Sequence, residues 1–240
     1  MFAKTIKSMI MKKIFILLAL AFVGGSVMAQ SKDGVKFGVR AGVNLATVAI
    51  SGDGITSEDK DFIKSLTSFN FGGYADIPVS GKFSIQPGLS LSGKGFKVTE
   101  MDSFEDEEEG GMVSQTMNIK TNIMYLELPL NAVFNFNGFY FGAGPYLAYG
   151  LSGKVKVESK ATIGNFTMNA SESESIKFGS KEDEIRAFDY GFNGLAGYKL
   201  KNGLNFNVNY GLGLGNYNNN AIGNGKTSNR VLSFMVGFSF

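Results

Sequence analysis

Apolar residues alternate with small or polar residues along several stretches of the 240-residue chain. The clearest stretch spans residues 204–215, in which the apolar positions Leu204, Phe206, Val208, Tyr210, Leu212 and Leu214 are separated only by Asn and Gly. A period of two is typical of a β-strand whose two faces lie in different surroundings. One face of this segment is therefore apolar, and the other is small or polar.

The same alternation recurs along the chain and predicts an all-β protein. We expect eight strands, at 37–45, 69–77, 82–97, 120–136, 139–157, 186–200, 204–214 and 232–240. An even number of strands permits an antiparallel sheet to close on itself. Closure removes the two unpaired edges that an open sheet would have.

The segments between these strands alternate in length. Short turn sequences lie near Ser80-Gly81, Asn137-Gly138 and Lys201-Asn202-Gly203, while polar segments at 48–67, 98–119, 158–185 and 216–229 are long. Short turns at one end and long loops at the other are typical of membrane-spanning barrels. The sequence therefore predicts one domain over residues 30–240, an eight-stranded antiparallel transmembrane β-barrel of the outer-membrane type.

A narrow barrel in lipid assigns its two faces to different surroundings. Gly, Ser and Asn positions such as Asn209 are expected to fill the interior, and Phe, Leu and Val positions are expected to contact lipid. We expect Leu212 to lie near the lipid midplane. The chain has no Trp, so anchoring at the short-turn end of the membrane is predicted to fall to Tyr198, Tyr140, Phe139 and Phe240.

The N-terminus has the three parts of a cleavable secretory signal peptide. Lys12 and Lys13 precede an apolar run at 14–23, and small residues follow up to Ala29. We expect residues 1–29 to be removed, with residues 1–10 as an upstream extension. The apolar run is about half of the ~20 residues that a transmembrane helix requires, so a retained anchor is disfavoured.

Composition narrows the chemistry. The chain contains no Cys and no His, so thiolate metal sites and Ser-His nucleophilic catalysis are excluded. Loss of residues 1–29 removes four lysines and no acid, which leaves 19 basic against 21 acidic residues. We therefore expect no cofactor and no enzymatic activity. We also expect no nucleic-acid partner, because the mature chain offers no broad basic surface.

Six polar or charged residues fall on the small or polar faces of the predicted strands. Charges inside a narrow barrel are costly unless they are paired, so we expect an interior network that fills the lumen. Its members are Arg40, Asp76, Gln86, Glu127, Asp189 and Lys199. The alternative is that these residues line a gated pore.

An acidic run at 105–109 in one long segment has two interpretations. Its clustered carboxylates could bind a divalent cation. The run does not have the spaced ligands and the glycine of a calcium-binding loop, so a solvated loop that repels itself is the favoured interpretation.

Two motifs resemble those of a known family. Tyr125-Leu126-Glu127-Leu128-Pro129-Leu130 and the segment from Phe37 to Asn44 resemble the PorT-like outer-membrane β-barrel family of Bacteroidetes, over roughly 36–240. The resemblance implies a fold and a compartment, the cell outer membrane, rather than an activity. Phe240 resembles the terminal aromatic by which the barrel-assembly machinery recognises its substrates.

Three functions are consistent with these observations. The first is a non-enzymatic barrel, in contact with outer-membrane lipid, that supports the envelope or binds an extracellular or envelope protein through its long loops. The second is a narrow porin, or a component associated with transport or secretion. The third is a soluble periplasmic barrel that holds a lipid in its lumen, which requires the apolar face to point inward.

Overall fold

A computed structural model describes residues 34–106, 111–163, 166–179, 184–216 and 225–240. These residues form ten strands and one short helix: β1 (Lys36–Ser51), α1 (Ser57–Asp61), β2 (Ile63–Lys64), β3 (Leu66–Ser80), β4 (Phe83–Asp106), β5 (Gly111–Phe136), β6 (Phe139–Ile163), β7 (Phe166–Ser175), β8 (Phe188–Lys199), β9 (Leu204–Gly213) and β10 (Lys226–Ser239). In this part of the chain no helix has the length and apolar character needed to cross a bilayer. The proposed signal peptide lies outside the described residues.

Eight strands close into an antiparallel ring. The order is β4-β3-β1-β10-β9-β8-β6-β5, and β5 pairs back with β4. The predicted eight-stranded barrel is therefore confirmed. The two additional strands lie outside the ring, with β2 paired to β4 and β7 paired to β6.

The strands are staggered around the ring. Ser92 on β4 faces Asn70 on β3. Following directly opposed residues through β1, β10, β9, β8 and β6 leads to Asn135 on β5, whose amide donates a hydrogen bond to the Lys82 carbonyl. The path from Ser92 thus returns ten residues earlier in the chain, at Lys82. This stagger is what tilts the strands relative to the barrel axis.

The three predicted short turns are confirmed. Asn137 and Gly138 both have positive φ, of 49° and 89°, which is the backbone of a two-residue type I′ hairpin. Gly81 and Gly203 also have positive φ at the other two turns. The three turns lie at the same end of the barrel, which we call the short-turn end; the opposite end is the long-loop end.

All four predicted long loops are wrong in part. Residues 48–51 and 226–229 belong to β1 and β10, and residues 63–64 and 66–67 belong to β2 and β3. The largest differences are at 98–106 and 111–119, which extend β4 and β5, and at 158–175, most of which belongs to β6 and β7. The sequence pattern missed these strands because both of their faces lie outside the apolar band, where no contrast between lipid and interior imposes a period of two. All ten residues of β7 are exposed.

The two faces of the ring differ as predicted. Apolar side chains point outward and are exposed, among them Phe69, Phe71, Leu128, Leu130, Phe141, Leu147, Phe192, Phe206, Val208, Phe234 and Val236. Polar side chains such as Asn44, Asn207 and Ser233 are buried in the interior. The soluble lipid-binding alternative required the opposite arrangement, so the structure contradicts it.

One sequence-based placement, that of Tyr140 at the membrane interface, is wrong. Tyr140 is 5% exposed and lies in the interior, where its hydroxyl donates a hydrogen bond to Asn205 at 3.4 Å. Its neighbours Phe139 and Phe141 point outward, so the alternation turns Tyr140 inward. Leu212 points outward as expected and lies one residue before the end of β9, toward the long-loop end. Its depth in the membrane stays a prediction.

Candidate functional site

A buried cluster of three charges links β4, β5 and β8 in the barrel interior. Lys94 Nζ lies 2.6 Å from Glu127 Oε2 and 3.1 Å from Asp189 Oδ2, and all three side chains are almost fully buried. The sequence predicts Glu127 and Asp189 as interior residues, but the predicted set does not include Lys94. The signal was present in β4, where Gln86, Ser90, Ser92 and Lys94 share one parity and Leu89 and Leu91 share the other.

Polar and aromatic side chains complete this cluster. Asp189 Oδ2 also accepts hydrogen bonds from Tyr146 Oη at 3.1 Å and from Asn229 Nδ2 at 3.0 Å. Lys94 Nζ lies 4.1 Å from the centroid of the Tyr146 ring and 5.4 Å from that of Tyr125. These contacts stabilise the charged forms in a site without solvent access.

Apolar side chains cover the cluster at the long-loop end. Ile176, Phe178 and Ile185 pack against a buried group that contains Ile123, Tyr125 and Tyr146. We call Ile176, Phe178 and Ile185 the capping residues. Backbone hydrogen bonds hold the segment in place, from the Ile176 amide to the Gly153 carbonyl at 2.9 Å and from the Gly150 amide to the Ala187 carbonyl at 2.7 Å.

The capping residues need the two glycines on β6. A Cβ at Gly150 would collide with the ring of Phe178, and one at Gly153 would collide with Ile176. These glycines therefore leave the space that the cap occupies at the mouth of the barrel.

A second polar layer lies between β1, β3, β4 and β10. Asn44 Nδ2 donates to the Gly93 carbonyl at 2.9 Å and to Ser92 Oγ at 3.2 Å, while Ser233 Oγ donates to Asn44 Oδ1 at 2.7 Å. Asn70 Nδ2 also donates to Ser92 Oγ, at 3.3 Å. Short polar side chains thus fill this level of the lumen and connect four strands.

The remaining predicted interior residues lie toward the short-turn end, in two pairs. An Arg40 guanidinium nitrogen donates to Gln86 Oε1 at 3.0 Å, and the guanidinium carbon lies 3.9 Å from the centroid of the Tyr74 ring. Lys199 Nζ lies 3.9 Å from Asp76 Oδ2. The six predicted residues therefore do not form one network but lie at different heights along the lumen. Lys94 connects two of these residues, Glu127 and Asp189.

Two cavities lie on the short-turn side of the charge cluster. The inner cavity has a volume of about 40 Å³ and is lined by residues that include Arg40, Gln86, Glu127 and Asn131. An open vestibule of about 320 Å³ lies at the short-turn end, with Lys36, Lys199 and Lys201 in its wall. Solvent thus reaches the vestibule, and the interior above it is filled largely by side chains.

The described charged residues of the interior contact polar or oppositely charged side chains rather than forming a metal site. Among the described residues, no group of three or more His, Cys, Asp or Glu is arranged to hold a metal ion. Most of the acidic run at 105–109 lies outside the described residues. The interior charges form ion pairs with one another or hydrogen bonds with polar neighbours, which fixes the register of the strands that carry them.

The long ends of β4–β7 form a sheet that protrudes from the barrel, which we call the protruding sheet. The continuous runs of outward apolar residues end at Leu91 on β4, Met124 on β5 and Leu151 on β6. Beyond these positions the outer face is largely polar apart from the exposed Met101 on β4, and Lys120 is bonded to Glu158 at 2.7 Å. The opposite face carries apolar residues on opposed positions, such as Ile119 and Val157. Strand β7 forms one edge of this sheet.

A model of the family described as outer membrane protein beta-barrel domain matches residues 28–219. No curated protein sequence matches the chain. Among solved structures, Ail, the attachment invasion locus protein of Yersinia pestis, has 11% identity and a TM-score of 0.38, over 86% of this chain and 99% of that chain. Neisserial surface protein A gives the same values. The outer membrane protease OmpT from Escherichia coli has 10% identity and a TM-score of 0.29, over 88% and 98% of the two chains.

Proposed function

Because the chain belongs to the outer membrane protein beta-barrel domain family, we propose that it is a non-enzymatic outer-membrane protein whose filled barrel anchors an extracellular sheet that binds a partner. Family membership suggests the outer membrane as its location. In barrels of this type the long loops face outward from the cell, so the protruding sheet is extracellular. The paired interior charges support an anchoring role for the barrel rather than a catalytic one.

The observation that carries this proposal is the edge strand β7. Within the described residues β7 pairs only with β6, and every one of its residues is exposed. Phe166 is 83% exposed and Met168 is 71% exposed, both near the tip of the sheet. An edge with unpaired backbone groups and apolar side chains is a template for an added strand. β7 therefore suits the binding of an extended segment of another protein.

A trimmed chain tests this function. Val157 and Glu172 face each other across β6 and β7, so Asn-Gly can replace residues 158–171 as a tight hairpin turn. We expect this chain to fold, as shown by heat-modifiable mobility on a gel, and to fail to complement a strain that lacks the gene. The double variant Phe166→Ser/Met168→Ser should fail as well, while Thr167→Ser, on the other face of β7, should complement. Full complementation by the trimmed chain would contradict the proposal.

The filled lumen bears on the competing function of a narrow pore. The capping residues and the Lys94 cluster occupy the section between the mouth and the inner cavity. We therefore expect no discrete conductance steps from purified protein in planar bilayers. The pore would be favoured if the native chain gave discrete conductance steps and if the substitution Gly150→Leu, at the mouth of the barrel, abolished them.

The proposal also includes export by a signal peptide, membership of a PorT-like family and assembly through the terminal Phe240. The motifs at 37–44 and 125–130 support a PorT-like barrel of Bacteroidetes, exported by the signal peptide at 1–29. Phe240, exposed at the short-turn end, would be recognised by the barrel-assembly machinery. N-terminal sequencing of the outer-membrane form should begin at Gln30, and deletion of Phe240 should lower the amount of folded barrel. An intact N-terminus, or unchanged assembly, would contradict these assignments.

A further inference from the structure

Four lysines lie side by side on four adjacent strands near the base of the protruding sheet. The register pairs Lys64 on β2 with Lys97 on β4, Lys97 with Lys120 on β5, and Lys120 with Lys156 on β6. We call these four residues the lysine row. They are between 23 and 92 positions apart in the sequence, so only the fold brings them together.

The lysine row points away from the barrel axis. Thr121 and Ile123 are buried in the interior, so Lys120, one position from Thr121, has the opposite direction. Directly opposed residues of an antiparallel pair share a face, which gives the other three lysines the same direction. Lys154 lies on this face as well, two residues before Lys156 on β6.

The row carries more positive charge than its surroundings neutralise. Like charges on directly opposed positions destabilise a sheet. Glu158 bridges Lys120 and Lys156, at 2.7 Å from each. In the part of the chain that the structure describes, Lys64, Lys97 and Lys154 have no carboxylate within ion-pair distance. An external anion would therefore relieve the repulsion.

The height of the row identifies the source of that anion. Lys154 follows the last outward apolar residue of β6, Leu151, by three positions, which is about 10 Å along a strand. A strand tilt of about 45° reduces this to a height of about 7 Å, the level of the lipid headgroups, which occupy roughly 5–7 Å on each side of the hydrocarbon. Lys97, Lys120 and Lys156 lie four to six positions beyond the last residue of the outward apolar run on their strands, and their long, flexible side chains can bend back toward the same level.

We propose that the lysine row, together with Lys154, binds the phosphate groups of anionic lipid headgroups in the outer leaflet. The site continues the lipid-facing band of the barrel, so a lipid whose acyl chains contact that band places its headgroup against the lysines. Ammonium groups recognise phosphate as point charges, and this requires no preformed pocket. Binding would fix the base of the protruding sheet relative to the membrane surface.

Native mass spectrometry of the full-length barrel tests the proposal with a defined probe. The protein is mixed with a bis-phosphorylated glycolipid or with the same glycolipid after enzymatic removal of its phosphates. The variant Lys64→Gln/Lys97→Gln/Lys154→Gln removes three charges and keeps both ion pairs of Glu158. Its matched control, Lys36→Gln/Lys82→Gln/Lys201→Gln, removes three exposed lysines at the short-turn end. Heat-modifiable mobility verifies that both variants fold.

Each lysine near an anionic membrane surface contributes roughly fivefold to affinity, so three losses should weaken binding of the phosphorylated glycolipid about 100-fold. The control variant should bind the phosphorylated glycolipid as tightly as the native chain does. The native chain should bind the dephosphorylated glycolipid no more tightly than the row variant binds the phosphorylated form. Equal losses in both variants, or no loss in the row variant, would overturn the proposal. Competition by inorganic phosphate at the glycolipid's own concentration would also overturn it, because free phosphate would then be the ligand.

Discussion

Lys94 Nζ lies 2.6 Å from Glu127 Oε2, between two adjacent strands and inside a lumen from which solvent is excluded. Asp189, on β8 across the lumen, contacts the same ammonium group at 3.1 Å. One cation thus joins two neighbouring strands to a third strand on the opposite side of the lumen. A buried cation with two carboxylates is stable only while all members are present, because each charge has lost its hydration.

Loss of the cation should therefore destabilise the barrel strongly. In Lys94→Met, Glu127 and Asp189 face each other without compensation, and we expect the free energy of unfolding to fall by about 3–5 kcal/mol. Urea unfolding in lipid vesicles measures this change. The matched control is Lys199→Met, whose partly exposed 3.9 Å pair with Asp76 should be worth less than about 1 kcal/mol.

The triple variant Lys94→Met/Glu127→Gln/Asp189→Asn separates charge from packing. We expect it to recover most of the stability that Lys94→Met loses, because no unpaired charge is left in the interior. An unfolding free energy of Lys94→Met equal to that of the native chain would show that the cluster is not buried as described.

Arginine substitutions along β9 should report the depth of each outward residue in the membrane. Val208 lies in the middle of the outward apolar run, so Val208→Arg should cost about 2–4 kcal/mol of unfolding free energy. Leu212 lies closer to the long-loop end, so Leu212→Arg should cost only about 0–1 kcal/mol. Asn209→Ser, in the interior, should cost less than Val208→Arg. Equal costs of about 2–4 kcal/mol would mean that Leu212 lies as deep in the hydrocarbon as Val208, and costs below about 1 kcal/mol at both positions would mean that β9 does not cross the bilayer.

The outer face of the protruding sheet makes a prediction about pH. Hydrogen bonds from Lys120 and Lys156 lower the pKa of Glu158 to about 2, from an ordinary value of 4.5. The stabilisation from this bridge is complete above about pH 4.5 and is lost as the pH falls toward 2, because protonation removes the charge. Carboxyl NMR of the barrel in nanodiscs should show this titration. Lys120→Gln should raise the midpoint, and a native midpoint near 4.5 would contradict the assignment.

The direction of the side chains could be predicted well from sequence for strand residues at the level of the lipid. Lipid on one face and a polar interior on the other impose the period of two there. The same parity rule, applied strictly, would also have placed Lys94 inward with Ser92, and Tyr140 inward between two outward phenylalanines. The residue type alone, aromatic or basic, does not decide whether a side chain points inward or outward. The direction of a side chain depends on its position in the alternation.

Other features required the register, which no sequence pattern gives. The strands beyond Leu91, Met124 and Leu151 have water-facing surroundings, so their extent was not predictable from a lipid-facing pattern. The lysine row depends on which residues of four strands are directly opposed. The cap depends on Phe178 packing against Gly150, a contact between a loop and a distant part of the ring.

The central claim is that consecutive residues of each strand face two media, lipid and a polar interior. The chain has no cysteine, so single cysteines at successive positions from 205 to 211 can carry a nitroxide label without further changes. Collision rates with oxygen, which dissolves in lipid, should be high at Phe206, Val208 and Tyr210 and low at Asn207 and Asn209. Rates without a period of two, or with maxima at the asparagines, would contradict the account.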